Sequence, residues 1–159
     1  MNTVVDASSQ DDAVIVITRV YDAPRDLVWR ALTDPAQVAQ WYGGEGFTSP
    51  VCEMDVRVGG RWRHVMRAPN GMEFPINSIF LEVEPLARLA WTSEAVDRGP
   101  GGPPVATNIV TLETVGAQTR WTLEARFDSL ADRDLTVQMG FGQMVSQGAE
   151  RLARHLETM

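Results

Sequence analysis

The chain has one cysteine, Cys52, so no internal disulfide can form, which fits a reducing cytoplasm. Its two histidines, His64 and His155, lie far apart, and no zinc-ligand spacing exists, so no metal is indicated. No run approaches the roughly 20 apolar residues that a membrane span needs. There is no basic cluster: 14 basic side chains stand against 21 acidic ones, a net charge of −7. That balance argues against nucleic acid and anionic membrane surfaces as partners. No Gly-x-Ser-x-Gly occurs, and the cysteine has no evident base beside it, so no nucleophile is marked. Gly43, Gly44 and Gly46 are not a phosphate loop, because no Lys-Ser or Lys-Thr follows and no βαβ unit surrounds them. The opening MNTVVDASSQDDA lacks the positive start and long apolar core of a secretory signal; residues 1–12 read as a loose, flexible polar leader.

What remains is an ordinary globular composition, 44% hydrophobic and 22% charged over 159 residues, which reads as one domain over residues 13–159. Its organising element is the C-terminal end. Leu135, Met139, Gly142, Val145, Ala149, Leu152 and Leu156 recur at steps of three and four, placing one apolar stripe on a helix. Ser129 with Asp132 three residues on resembles a capping box. Gly140, Gly142 and Gly148 lie inside this pattern, each costing about 1 kcal/mol against alanine in a helix interior. Two accounts stay open: a break near Gly140 with close backbone packing, or space deliberately left beside the helix.

Earlier in the chain, Val14–Val20 is a β-branched strand. Asp22-Ala23-Pro24 and Thr33-Asp34-Pro35 each open a short helix. From Pro50 a meander of antiparallel strands follows. The segments are Val51–Val58, Arg61–Arg67, Phe74–Val83, Leu89–Glu94, and a hairpin of Thr107–Thr114 with Thr119–Phe127. In Arg61–Arg67 the residues Trp62, His64 and Met66 share one face and the arginines the other. The inward face of Phe74–Val83 is undecided, since a bulge after Asn77 would switch it. Residues 98–104 (RGPGGPP) read as a loop long enough to act as a lid. The expected fold class is α+β: a curved antiparallel sheet of about seven strands wrapped around a long C-terminal helix, with two short helices after the first strand. A pocket would lie between the two layers.

The runs YDAPRDLVWRALTDPAQVAQWYGGEGF, EMDVRVGGRWRHVMRAPNGMEFP and TRWTLEARF before a closing helix resemble the SRPBCC superfamily, also called START or Bet v 1-like. Within it, they are similar to the bacterial proteins named after the C-terminal domain of the activator of the Hsp90 ATPase. The resemblance covers residues 13–157 and implies the helix-grip architecture. It implies little about chemistry, because the superfamily holds lipid carriers, hormone receptors and cyclases. Similar closing helices carry Gly-Trp and then Leu on the inner face, where this chain has Met144, Val145 and Ala149. The loss of bulk implies either an enlarged pocket or compensation by Trp62, Trp91 and Trp121.

The residues expected around the cavity are Trp41, Phe47, Trp62, His64, Met66, Phe74, Trp91, Asn108, Val110, Met139, Gln143 and Val145. His64 could orient a ligand oxygen or act as a base near neutral pH, although a lone histidine is more simply a hydrogen-bonded core residue. Glu53 and Asp55 share a strand face, and with Arg57 they read as a solvated charged row rather than an acid–base pair. No catalytic residue and no cofactor are assigned. The expected function is to bind a small hydrophobic or aromatic molecule, as carrier, sensor or sequestering protein. The alternatives are a polyketide cyclase-, aromatase- or hydrolase-like enzyme in the same cavity, and an Hsp90 co-chaperone-like protein-binding module. A homodimer through an exposed strand or the long helix is compatible with the sequence.

Overall fold

The computed structural model describes residues 3–8, 12–93 and 105–159. The proposed lid at residues 98–104 lies outside them. The chain forms an α+β helix-grip fold; among the described residues eight antiparallel strands make one sheet against four helices. The strands are β1 (Val4–Asp6), β2 (Val14–Tyr21), β3 (Thr48–Met54), β4 (Arg61–Arg67), β5 (Glu73–Glu84), β6 (Arg88–Ser93), β7 (Thr107–Val115) and β8 (Gln118–Arg126). The helices are α1 (Arg25–Thr33), α2 (Pro35–Trp41), α3 (Leu130–Gln138) and α4 (Phe141–Leu156). Sheet order is β1-β2-β8-β7-β6-β5-β4-β3.

The eighth strand comes from the expected leader. Val4, Val5 and Asp6 pair with Thr18, Ile17 and Val16, so this stretch is an edge strand. Its two valines suit an extended backbone and cover a free edge of β2. β3 starts and ends earlier than expected; residues 55–60 form the turn into β4 instead. That turn demands glycine at position 60, where a Cβ would sit 2.0 Å from the Asp55 carbonyl oxygen. Gly60→Ala should therefore cost about 3 kcal/mol, read as a lower urea midpoint with an unchanged slope.

The β5 ambiguity resolves at a register shift between Phe80 and Glu82, not after Asn77. Ile76, Ser78 and Phe80 thereby turn toward the helices, while Leu81 is 42% exposed. Asp34 caps α2 through the Ala36 N–H at 3.0 Å, and Ser129 caps α3 through the Asp132 N–H at 3.1 Å. Asp22 caps nothing; Pro24 precedes α1 with no side-chain cap.

The expected long closing helix is two helices. Gly140, at φ 88°, ends α3 in the left-handed region and restarts the chain as α4. The other two glycines are sites of close packing. A Cβ on Gly142 would meet Val5 of β1 at 3.0 Å, and one on Gly148 would meet the Gly43 carbonyl oxygen at 3.3 Å. Ala149, Leu152 and Leu156 of α4 join Ile15, Ile17, Val28, Phe80, Leu89, Val110 and Leu123 in one core. Burying such side chains is worth roughly 1.5–3 kcal/mol each and drives the sheet to curl onto the helix.

Candidate functional site

The core leaves a cavity of about 270 Å³ between sheet and helices. Strand alternation builds the sheet wall: Tyr21, Met66, Ile76, Trp91, Asn108, Val110, Trp121 and Leu123 each project from an inward-facing position. Phe141, Met144, Val145, Gly148 and Ala149 form the α4 wall, and Leu32, Trp41, Tyr42 and Gly43 close it from the α1–α2 side. Trp91 and Asn108 are direct cross-strand partners, so an aromatic ring and an amide stand side by side on β6 and β7. The wall carries no Asp, Glu, Lys, Arg or His among the described residues.

Six of the twelve residues expected around a cavity line this one: Trp41, Met66, Trp91, Asn108, Val110 and Val145. The other six stand elsewhere. Met139 is 60% exposed at the end of α3, because the break at Gly140 shifts the helical stripe out of phase. Gln143 is exposed on α4. Phe47 and Phe74 meet each other at 6.4 Å between centroids, with Phe74 41% exposed. Trp62 and His64 are buried behind the cavity wall, where Tyr42 covers them with ring distances of 5.2 and 4.9 Å.

His64 is a core histidine with both ring nitrogens engaged. The Trp62 indole N–H donates to Nδ1 at 3.2 Å, and Nε2 lies 2.8 Å from the Ser49 hydroxyl. Indole can only donate, so Nδ1 must be the bare nitrogen and Nε2 carries the proton toward Ser49. Burial pushes the imidazole pKa down to about 4, so the ring is neutral at pH 7. A base that activated Ser49 would need a bare Nε2, and Trp62 enforces the opposite tautomer. The Ser49–His64 contact is therefore not a nucleophile–base pair. Glu53 and Asp55 are exposed and pair with Arg63 at 3.2 Å and Arg57 at 2.7 Å.

Sequence reasoning missed much of the wall. Tyr21 shares strand parity with Ile15 and Ile17, a signal that was available in VIVITRVY. Tyr42 is the residue after α2 and carries no periodic signature. Its burial raises the phenol pKa to about 12, and desolvation raises that of Tyr21 as well, so both rings are neutral. Tyr21 donates its hydroxyl to the Ala149 carbonyl at 3.2 Å. The Trp121 indole N–H is buried with no acceptor among the described residues.

The rim beside Gly43 is clamped. The Arg151 guanidinium donates to the carbonyls of Tyr42 at 3.1 Å, Gly43 at 3.3 Å and Gly44 at 2.9 Å. Gln147 accepts the Glu45 N–H at 3.1 Å, and Arg154 pairs with Glu45.

The family model for activator of Hsp90 ATPase homolog 1-like protein matches residues 22–159. The chain belongs to this family. Among solved structures, a Nitrosomonas europaea protein of the family's fold is 32% identical, covering 91% of this chain and 94% of that one at a TM-score of 0.83. An Arthrobacter aurescens protein, 23% identical, covers 98% of this chain and 92% of its own at a TM-score of 0.87. A Rhodobacter sphaeroides protein, 20% identical, covers 100% of both at a TM-score of 0.86. The last two likenesses speak for the fold alone. No curated protein matches the chain. No helix among the described residues is long and apolar enough to cross a membrane. Against the family pattern expected for the closing helix, the smaller residues Val145 and Ala149, with Met144, all face the cavity.

Proposed function

We propose that this family member binds one small, largely apolar molecule in the cavity between its sheet and α4, as a carrier, sensor or sequestering protein. The observation that carries this reading is the cavity itself. Protein interiors normally fill such space, yet here about 270 Å³ is left open among six aromatic side chains. An enzyme using the same cavity would need a titratable group poised near neutral pH. The described wall offers only two phenols, both with pKa values raised by burial. Titration with the neutral fluorophore N-phenyl-1-naphthylamine should give one saturable site. At ligand 100-fold above Kd, the melting temperature should rise by about 5–10 °C. Native mass spectrometry of the protein purified from its host should show one defined small molecule. No fluorescence rise and no thermal shift would sink the reading.

A further inference from the structure

We infer that the cavity has one polar anchor, the Asn108 carboxamide with the Tyr42 hydroxyl. Its ligand is a flat apolar molecule carrying a neutral group that both donates and accepts hydrogen bonds, such as a carboxamide or lactam. This rests on the binding reading above and names its ligand class. The polar side chains on the described wall are Tyr21, Trp41, Tyr42, Trp91, Asn108 and Trp121. Tyr21 is spent on the Ala149 carbonyl, and Trp41 on the Ala31 carbonyl at 2.9 Å. The Trp121 indole nitrogen is sealed from anything the size of water, so no occupant reaches it. The Asn108 amide and the Tyr42 hydroxyl differ from all three. Neither makes a hydrogen bond among the described residues, and neither is sealed.

Both groups face the interior. Asn108 shares strand parity with Val110 and Leu112, which are 2% and 4% exposed, so its Cβ points inward. The amide carbon is bonded directly to that Cβ, which keeps the polar end on the inner side of β7. Tyr42 closes the cavity from the α2 side, and burial is the main cause of its raised phenol pKa. Its hydroxyl therefore opens on the interior and not on bulk solvent. Trp91, the cross-strand partner of Asn108, and Tyr42 flank one ring: their centroids lie 5.4 and 5.2 Å from that of Trp62. An unpartnered amide on a largely apolar wall lowers stability until an occupant meets it. A carboxamide presents two N–H donors and one carbonyl, so a ligand group of one polarity leaves part of it unmatched. A neutral group with both polarities meets both halves, and the Tyr42 hydroxyl can serve either.

Displacement of N-phenyl-1-naphthylamine by three compounds of one shape tests this: 2-naphthamide, 2-acetylnaphthalene and 2-isopropenylnaphthalene. They carry a donor with an acceptor, an acceptor alone, and neither. In Asn108→Leu the amide should lose at least about tenfold in affinity, because its own polar group is then buried unmet. The ketone should lose about threefold, and the hydrocarbon should hold within about twofold. Binding of the hydrocarbon shows that the variant's cavity is intact. Tyr42→Phe keeps the ring on Trp62 and should cost the amide about fivefold. Without ligand, Asn108→Leu should melt about 3 °C higher, since it removes an unpartnered amide. An unchanged amide-to-hydrocarbon ratio in Asn108→Leu overturns the anchor. A ketone that loses as much as the amide overturns the need for a donor. A lower melting temperature shows that the amide serves the fold and overturns its assignment to a ligand. Failure of the fluorophore to bind the wild-type protein overturns the binding reading itself, and the ligand class with it.

Discussion

Val145→Trp combined with Ala149→Leu is expected to abolish N-phenyl-1-naphthylamine binding while raising the melting temperature. Both residues line the cavity from α4, and Ala149 is 3% exposed, so the added bulk enters the void and not solvent. Enlarging a side chain in a filled core forces strain, but here empty volume is available to receive it. Cavities cost about 24 cal/mol per Å³, so filling roughly 100 Å³ should return about 2 kcal/mol. For a domain of this size that corresponds to a rise of about 4–8 °C. Affinity should fall by more than about 100-fold, because the ligand loses its space and not one contact. A doubly substituted protein that still binds the fluorophore with wild-type affinity would place the site elsewhere.

Acid should destabilise the protein through His64, and His64→Gln should remove that part of the pH dependence. In the folded chain burial holds this imidazole at about 4, whereas an unfolded histidine titrates near 6.5. Well above pH 6.5 neither state is protonated, and the group has no pH-dependent effect. As pH falls from 6.5 toward 4, the unfolded chain takes up a proton that the folded chain refuses, so stability drops throughout that window. Between pH 7 and 4.5 the loss should be on the order of 2 kcal/mol from this group alone. Urea midpoints at the two pH values, compared between wild type and His64→Gln, isolate it from the carboxylates common to both. The glutamine can still accept from the Trp62 N–H, which keeps the variant folded at pH 7. Equal losses in the two proteins would show that His64 is not held neutral by burial.

Much of the fold was legible because its signals are local. The alternation of Trp62, His64 and Met66 against Arg61, Arg63 and Arg67 set the inward face of β4, and Asp34-Pro35 set the start of α2. Depth was not legible. Alternation says which side of a sheet a residue takes, and not whether a later residue covers it, as Tyr42 covers Trp62 and His64. A helical stripe extrapolated through Gly140 placed Met139 inside, because one left-handed residue resets the helix phase and sequence spacing does not record it. Gly148 shows the same limit. Its small size reads equally as a void or as a close approach, and it serves as both, touching the Gly43 carbonyl and lining the cavity.

The sheet order carries a consequence for how the molecule is made. β3 to β8 follow one another as a meander, each strand pairing with its neighbour in sequence. β2 is different: Val14 pairs with Arg126, a separation of 126 − 14 = 112 residues. Closing a loop of that length costs more entropy than any hairpin in the meander, and non-local pairing is what slows folding. The hairpins can therefore form as they leave the ribosome, while β2 waits unpaired for β8. α4, the helix that completes the cavity, is made later still. The cavity is thus completed last, when its α4 wall arrives, and until then the apolar face of β2 lacks its cover.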